Sequence, residues 1–401
     1  MTTPPGLRHP DVSGSPGEIF RMLREGVATS RSTLARATGL APSTISLRVE
    51  ALRERGLVEE SGSEESRGGR RARQLVVRAD AGLVAAADVG AHHLRVGVAD
   101  LLGQRVVTEE RLLDVATGPG TVLPLVWTMV EELVAGSGRD SSRLLGMALG
   151  LPGPIEVDTG RVILPSFMPG WHNADIAAAF KELTDLPVLV ENDANLVALA
   201  EHATAGTGAD HLLAVKLGTR IGCGIISSGV LQRGAGGAAG EVSHVPVAGT
   251  ATVGCVCGIP NCLESVASGG AIVKRLQAAG YSVSTPAEVI DLANQGDVTV
   301  IAALREAGTL IGEVLAAVVN FANPRVVALS GAMSAAEPLV AAVRSALFQR
   351  CLPLAARDLD VRVGVAGADS GVTGGLRLVL EHVLSPERID SLLVDHRPAP
   401  S

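Results

Sequence analysis

The sequence predicts an α/β protein in three parts: a winged helix-turn-helix, then two α/β lobes facing each other across a cleft, with a metal-stapled loop in the second lobe. Three observations predict it. Residues 18–78 carry helical periodicity punctuated by glycines and end in an arginine-rich ribbon; a strand, Gly turn, strand pattern occurs twice, from Leu83 and from His211; and His244, Cys255, Cys257 and Cys262 fall within one loop.

A chain of 401 residues exceeds one ordinary core, so two or three domains are expected. A content of 47% hydrophobic and 19% charged residues is that of a globular protein. The net charge of -8 argues against a nucleic-acid binder when taken over the whole chain, but the average hides a split. Residues 18–78 hold 12 Arg and 8 Glu, +4 there and hence -12 elsewhere: a basic head on an acidic body. Five cysteines, with Cys223 and Cys351 isolated from the cluster, do not form a secreted disulfide framework and fit a reduced cytoplasm. Pro4, Pro5, His9 and Asp11 stand where a signal peptide needs an apolar run, and no stretch approaches a membrane span, so a soluble cytoplasmic protein is expected.

Residues 1–16, rich in Pro, Gly, Ser and Thr, are expected to be disordered. Ile19, Phe20 and Leu23 then recur at helical spacing, and Ser30 to Gly39 reads as a short helix stopped by glycine. Pro42 suits the first turn of a third helix, where its missing N–H costs nothing. Ile45, Val49 and Leu52 form that helix's apolar stripe, and Gly56 closes it. With the stripe inward, Ser43, Ser46 and Leu47 point outward and Thr44 and Arg48 flank them, the positions that meet base edges and phosphates in a major groove. Arg67, Arg70, Arg71 and Arg73 occupy the following β-ribbon, a wing able to touch phosphate or the minor groove. A unit used only for packing or dimerisation is the alternative, which the basic wing disfavours.

Leu83 to Val107 reads as three strands with turns at Gly90 to His92 and Asp100 to Gly103, followed by a helix over Val122 to Val134 and a buried strand over Leu145 to Leu149. His211 to Leu231 repeats the strand and Gly-turn grammar, and Gly turns at a cleft floor let backbone N–H groups approach phosphates. Between the repeats, a strand ending at Glu191 runs into a helix, with Asn192 and Asp193 at the junction, the usual ligand edge of an α/β sheet. Asx residues there often only cap the helix; two amides and two acids from Glu191 to Asn195 exceed what a cap needs. Helices are expected over Thr285 to Gln295, Val300 to Phe321, Pro338 to Phe348 and Gly371 to Leu384, and strands over Arg325 to Gly331 and Val361 to Val365, with a peripheral tail after Pro386.

His244, Cys255, Cys257 and Cys262 supply four ligands that a tetrahedral Zn²⁺ can close, leaving no position for water, so the metal reads as a structural clip and not a catalyst. Glu241 and Glu264 flank this loop, yet zinc needs neither.

Gly240-Glu241-x-x-His244 with Cys255-x-Cys257-Gly-x-x-x-Cys262-Leu-Glu264, together with Glu191-Asn-Asp-Ala-Asn195, Pro152-Gly-Pro154 and the Gly170-Trp171 region, resembles the ROK family (repressors, open reading frames and kinases). The resemblance implies a two-lobed sugar-kinase fold of the actin-like ATPase type over residues 80–385, with a zinc loop at 244–262, behind a winged helix-turn-helix at 17–79 and ahead of a tail at 386–401. It also implies that Asn192, Asp193, Glu241, His244 and Glu264 contact sugar hydroxyls, which need several fixed donors and acceptors. His244 would then serve zinc with one ring nitrogen and a hydroxyl with the other. In the family's kinases the carboxylate at Asp193 is the general base for attack on the γ-phosphate. Kinases carry Asp-x-Gly-Gly-Thr-Lys in the first Gly turn, where this chain has Asp88-Val-Gly-Ala-His-His93. Their Gly-Thr-Gly-x-Gly reads here Gly218-Thr-Arg-Ile-Gly-Cys-Gly224, placing bulky Arg220 where backbone must approach phosphate. ATP and Mg²⁺ are therefore not expected as cofactors, although Arg220 or the histidines could hold an anion. Ser243 stands where many members have Gly.

These readings predict a sugar-responsive transcriptional regulator, a repressor of carbohydrate metabolism or uptake. Its expected partners are palindromic operator DNA, a neutral sugar or sugar-phosphate effector, and a second copy in a homodimer or dimer of dimers, with no membrane. The acids Asp193, Glu241 and Glu264 favour the neutral sugar. The alternatives are a glucokinase-like ATP-dependent sugar kinase with a DNA-binding head, and a zinc-stapled interaction protein.

Overall fold

Ser15 opens the head by accepting a hydrogen bond from the Glu18 N–H at the start of α1 (Pro16–Arg24). Ser30 and Thr33 form a capping box on α2 (Arg31–Thr38), which Gly39 ends at φ 72°, and Pro42 occupies the first turn of α3 (Pro42–Glu54). Ile45, Val49 and Leu52 are fully buried in one core with Ile19, Phe20 and Leu34. Ser43, Ser46 and Leu47 are exposed, Leu47 by 74%, with Thr44 and Arg48 half-buried beside them. The computed structural model describes residues 14–63, 73–163, 168–204, 206, 208–248 and 252–394. Of residues 1–16, expected to be disordered, 1–13 lie outside them, as do the wing arginines Arg67, Arg70 and Arg71, whereas Ser15 and Pro16 are instead ordered as the cap and first residue of α1.

The wing is the antiparallel pair β1 (Val58–Ser63) and β2 (Arg73–Val77). Arg73, expected at DNA, is bonded at 2.6 Å to Glu60, which also accepts from Arg31 of α2 at 2.7 Å and lies 3.9 Å from Arg53 of α3. Glu60 thus ties wing to helices, and Arg73 serves the wing's own structure. Hydrogen bonds from Arg73 and Arg31 hold the Glu60 carboxyl at about 2, against an ordinary 4.5. A depressed folded value means that this contribution is complete above pH 4.5 and is lost as pH falls through about 2. Glu60→Gln should lower stability by about 1 kcal/mol at neutral pH, less than the full shift implies because Arg73 is exposed. The gap to the unaltered protein should close below pH 4.5, which thermal melts over that range will show.

The body begins with an antiparallel meander of β3 (Leu83–Val89), β4 (His93–Asp100) and β5 (Arg105–Leu112). After α4 (Pro119–Gly136), β6 (Leu144–Leu151) joins β3 in parallel, and after α5 (Ile176–Lys181), β7 (Val188–Asn192) joins β6, giving the order β5-β4-β3-β6-β7. Trp171, from one of the segments that carry the family resemblance, is fully buried in this lobe's core, its Nε1–H donating to the Val115 carbonyl at 2.9 Å.

The second lobe repeats the plan. Following α6 (Asp193–Thr204) come β8 (Leu212–Leu217), β9 (Ile221–Ser227) and a two-residue β10 (Val230–Leu231). Helices α7 (Leu263–Ala267), α8 (Gly269–Ala278), α9 (Pro286–Asn294) and α10 (Val298–Ala322) lead to β11 (Val326–Ser330). Then α11 (Glu337–Arg350) and α12 (Pro353–Ala356) lead to β12 (Asp360–Val363), giving β10-β9-β8-β11-β12 with the same sense of pairing as the first sheet. The weak internal repeat of the sequence is therefore a repeat of topology.

The lobes are joined by crossed helices. Helix α6 leaves the first sheet and packs Leu196, Val197 and Ala198 on Leu212, Ala214 and Ile226 of the second. In return α13 (Ser370–Val383) leaves the second sheet and packs Val372, Leu376 and Val379 against Val84, Ala86 and Ala99 of the first. They meet at Gly374, where a Cβ would strike the Leu196 carbonyl oxygen.

The tail expected after Pro386 is instead helix α14 (Pro386–Val394), docked on the N-terminal head. Ile389 is buried in the core shared with Ile19 and Phe20, and the Gly17 N–H donates to Asp390 at 2.7 Å. One apolar cluster runs from the winged helix through α14 and α13 into the first sheet. Among the described residues no helix is long and apolar enough to cross a membrane.

Candidate ligand cleft and metal site

Strand β7 ends where α6 begins, and this junction aims Asn192 and Asp193 at the gap between the sheets. Asn192, Asp193, Glu241, His244 and Glu264 all line one cleft there, with Gly153, Lys216 and Arg220. They come from both lobes, so the cleft closes only when the lobes meet.

Much of this polar chemistry is already spoken for. The Asn192 Oδ1 accepts from the Ala194 and Asn195 N–H groups at 2.9 and 3.3 Å, and its Nδ2 donates to the Gly153 carbonyl at 2.8 Å. Asn192 is thus a helix cap that also pins the Pro152–Pro154 segment while lining the cleft. Glu191 accepts from the Asn192 N–H at 2.9 Å, from Asn195 Nδ2 at 2.8 Å and from Arg233 at 2.6 Å. Glu264, at the start of α7, accepts from Arg220 and from the Ile221 N–H, both at 2.9 Å.

Lys216 on β8 escaped the sequence reading. Its Nζ donates to Asp193 Oδ2 at 2.5 Å, and its charge also faces Asp88, buried at the end of β3. Burial alone would push the ammonium down, but Asp193 and Asp88 outweigh it and hold Lys216 above the ordinary lysine value. The signal was present: Lys216 is the one charged residue of an otherwise apolar, buried strand, and such a charge calls for a partner. Glu241 has the opposite history. Burial, followed by the neighbouring Asp193 and Glu264 charges, raises its carboxyl to about 7.

The two Gly turns face the same gap. At the first, His93 folds back over Gly90, its Nε2 3.7 Å from Asp88 Oδ2. At the second, Arg220 turns inward to Glu264. Both side chains are thus engaged with carboxylates of the cleft.

His244 and the three cysteines converge beside this cleft, their ligand atoms all within 4.8 Å of one another. Cys255 Sγ lies 3.6 Å from His244 Nδ1 and Cys257 Sγ lies 3.4 Å from Cys262 Sγ. The edges of a zinc tetrahedron with sulfur and imidazole ligands are about 3.6–3.8 Å, so this donor set can hold a metal ion. Backbone bonds from Leu263 to Val245 and from Val247 to Asn261, both at 2.9 Å, fix the loop on either side.

Comparison with known proteins follows this geometry. The ROK family profile matches residues 84–382, and a helix-turn-helix domain profile matches residues 15–61. The chain is 29% identical over 368 residues to the xylose repressor of Bacillus subtilis (strain 168), spanning 91% of this chain and 94% of that protein. It is 30% identical over 317 residues to a glucokinase of Halalkalibacterium halodurans, spanning 75% of this chain and 96% of the relative. The crystal structure of a ROK family transcriptional regulator, a homologue of the E. coli MLC protein, superposes with a TM-score of 0.80 at 22% identity, over 96% of this chain and 99% of that one, which supports the fold.

Proposed function

The chain belongs to the ROK family, and on that premise we propose that it is a sugar-responsive transcriptional repressor whose winged helix binds operator DNA and whose cleft binds the effector. The observation that carries this reading is the single apolar core joining the recognition helix to the first lobe through α13 and α14. A change of lobe closure at Asp88, where α13 begins, has no slack in which to dissipate before it reaches α1. Ser43, Ser46 and Leu47 are the base-facing set on α3, and Thr44 and Arg48 flank it. Two copies presenting paired recognition helices to a palindromic operator, as a dimer or dimer of dimers in the cytoplasm, complete the proposal.

In the cleft, Asp193, Glu241, His244 and Glu264, with the remaining N–H of Asn192, present donors and acceptors suited to sugar hydroxyls. The metal is zinc in a structural role: His244 gives it Nδ1 and keeps Nε2 for the ligand, and the clip holds Glu264 in register with Arg220. The kinase reading is weaker. A general base must accept a proton, and the Asp193 carboxylate is held by a protonated Lys216.

The effector half is tested by titrating a duplex selected from a random pool against the purified protein, with a panel of free and phosphorylated sugars. One sugar should shift operator affinity by about tenfold, and operator DNA should shift sugar affinity by the same factor, because the coupling is reciprocal. Identical operator binding at every sugar concentration would overturn it.

A further inference from the structure

The cleft has a balance of charge that sequence alone does not show. Lys216 is paired with Asp193 at 2.5 Å and Arg220 with Glu264 at 2.9 Å, while Arg233, just outside, is paired with Glu191 at 2.6 Å. Each of the three carboxylates is nearly buried. A phosphate ester entering here would have to draw a cation from its carboxylate, leaving that carboxylate buried and uncompensated. Glu241, whose carboxyl is already raised to about 7, offers it no cation. A hydroxyl meets no such conflict, because it donates to a carboxylate oxygen and accepts from an ammonium without separating the two.

We infer that the effector of this cleft is an uncharged polyol, a free sugar and not its phosphate ester, and that the Lys216–Asp193 pair determines this selectivity. The inference rests on the reading of the cleft as a sugar site. Lys216 is decisive among the cations because it faces two carboxylates, Asp193 of the first lobe's last strand-helix junction and Asp88 of its first strand. It is a permanent cation whose charge the protein consumes internally.

The distinguishing experiment frees that charge. Asp193→Asn keeps the shape of the α6 terminus and removes one of the two carboxylates facing Lys216. Calorimetric titration of the full chain, unaltered and Asp193→Asn, is run against free monosaccharides, their phosphate esters and inorganic phosphate, with thermal melts confirming that the variant folds. The unaltered protein should bind a free sugar at least about tenfold more tightly than its phosphate ester and should not bind inorganic phosphate. Asp193→Asn should weaken the free sugar and admit the anions, and the double variant Asp193→Asn, Lys216→Met should exclude them again. A phosphate ester binding the unaltered protein as tightly as its parent sugar overturns the inference while leaving the sugar site standing. So does inorganic phosphate that binds the unaltered protein and is lost in Lys216→Met. If no sugar of either kind binds, but phosphate is silent on the unaltered protein and binds Asp193→Asn, the charge inference survives and the sugar reading fails.

Discussion

Cys257→Ser is expected to strip zinc from the purified protein and lower its melting temperature by about 10 °C or more, since binding of a structural metal is part of the folding free energy. The reason lies in what the loop secures. Cys262 pairs with Pro246 in a β-bridge and is followed directly by Leu263 and Glu264, the first residues of α7. Loss of the clip unseats Glu264 and with it the bonds to Arg220 and to the Ile221 N–H at the mouth of β9. The second lobe should therefore unfold first, while the apolar cluster that the winged helix shares with the first sheet, which contains none of these residues, is disturbed less. Calorimetry with metal analysis reads both quantities. Cys351→Ser, at a half-buried thiol outside the metal cluster, is the control and should leave the metal content unchanged. Equal melting temperatures for Cys257→Ser and the unaltered protein, or an unaltered protein without zinc, would overturn the clip.

Gly374→Ala should be nearly as damaging despite adding one methyl group. Its Cβ would meet the backbone oxygen of Leu196, not a side chain able to swing away, so the two helices that join the lobes must separate along their closest contact. A loss of about 3 kcal/mol is expected, at the upper end for an overpacked site. The widening also shifts α13 relative to Asp88, which Gly371 of the same helix touches so closely that a side chain there would collide with the carboxylate. Chemical denaturation gives the first effect, and calorimetric titration with the effector gives the second. A stability within about 0.5 kcal/mol of the unaltered protein would show that the helices slide apart without cost, contrary to the packing described.

The parts of this molecule legible in its sequence are those written over short distances. The stripe Ile45, Val49, Leu52 and the punctuation of Ser30, Gly39 and Pro42 defined the head because caps and periodicity act within a few residues. The strand and Gly-turn grammar returned in both lobes, and four candidate metal ligands within nineteen residues do converge. What the sequence concealed depends on partners far along the chain. Nothing near Lys216 identifies Asp193, 23 residues away, as its acceptor, and nothing near Arg220 says that it turns inward to Glu264, 44 residues on, and not outward to an anion. Asn192 shows the same limit: its cap was visible, but its bond to the Gly153 carbonyl, 39 residues away, was not. The residues after Pro386 looked peripheral because their apolar surface finds most of its complement in α1, at the other end of the chain.

That last pairing makes the order of synthesis matter. Gly17 leaves the ribosome early, whereas Asp390, to which its N–H is bonded, follows 373 residues later. At ordinary elongation rates the interval is roughly 20–75 s. During it the head has α1 without the helix that covers Ile19 and Phe20, and the nascent chain holds a DNA-reading surface on an unfinished core. The head therefore gains its last packing partner only when the final helix is made: a chain truncated in the body keeps α3 packed on α1 and α2 but leaves the outer side of α1 without α14.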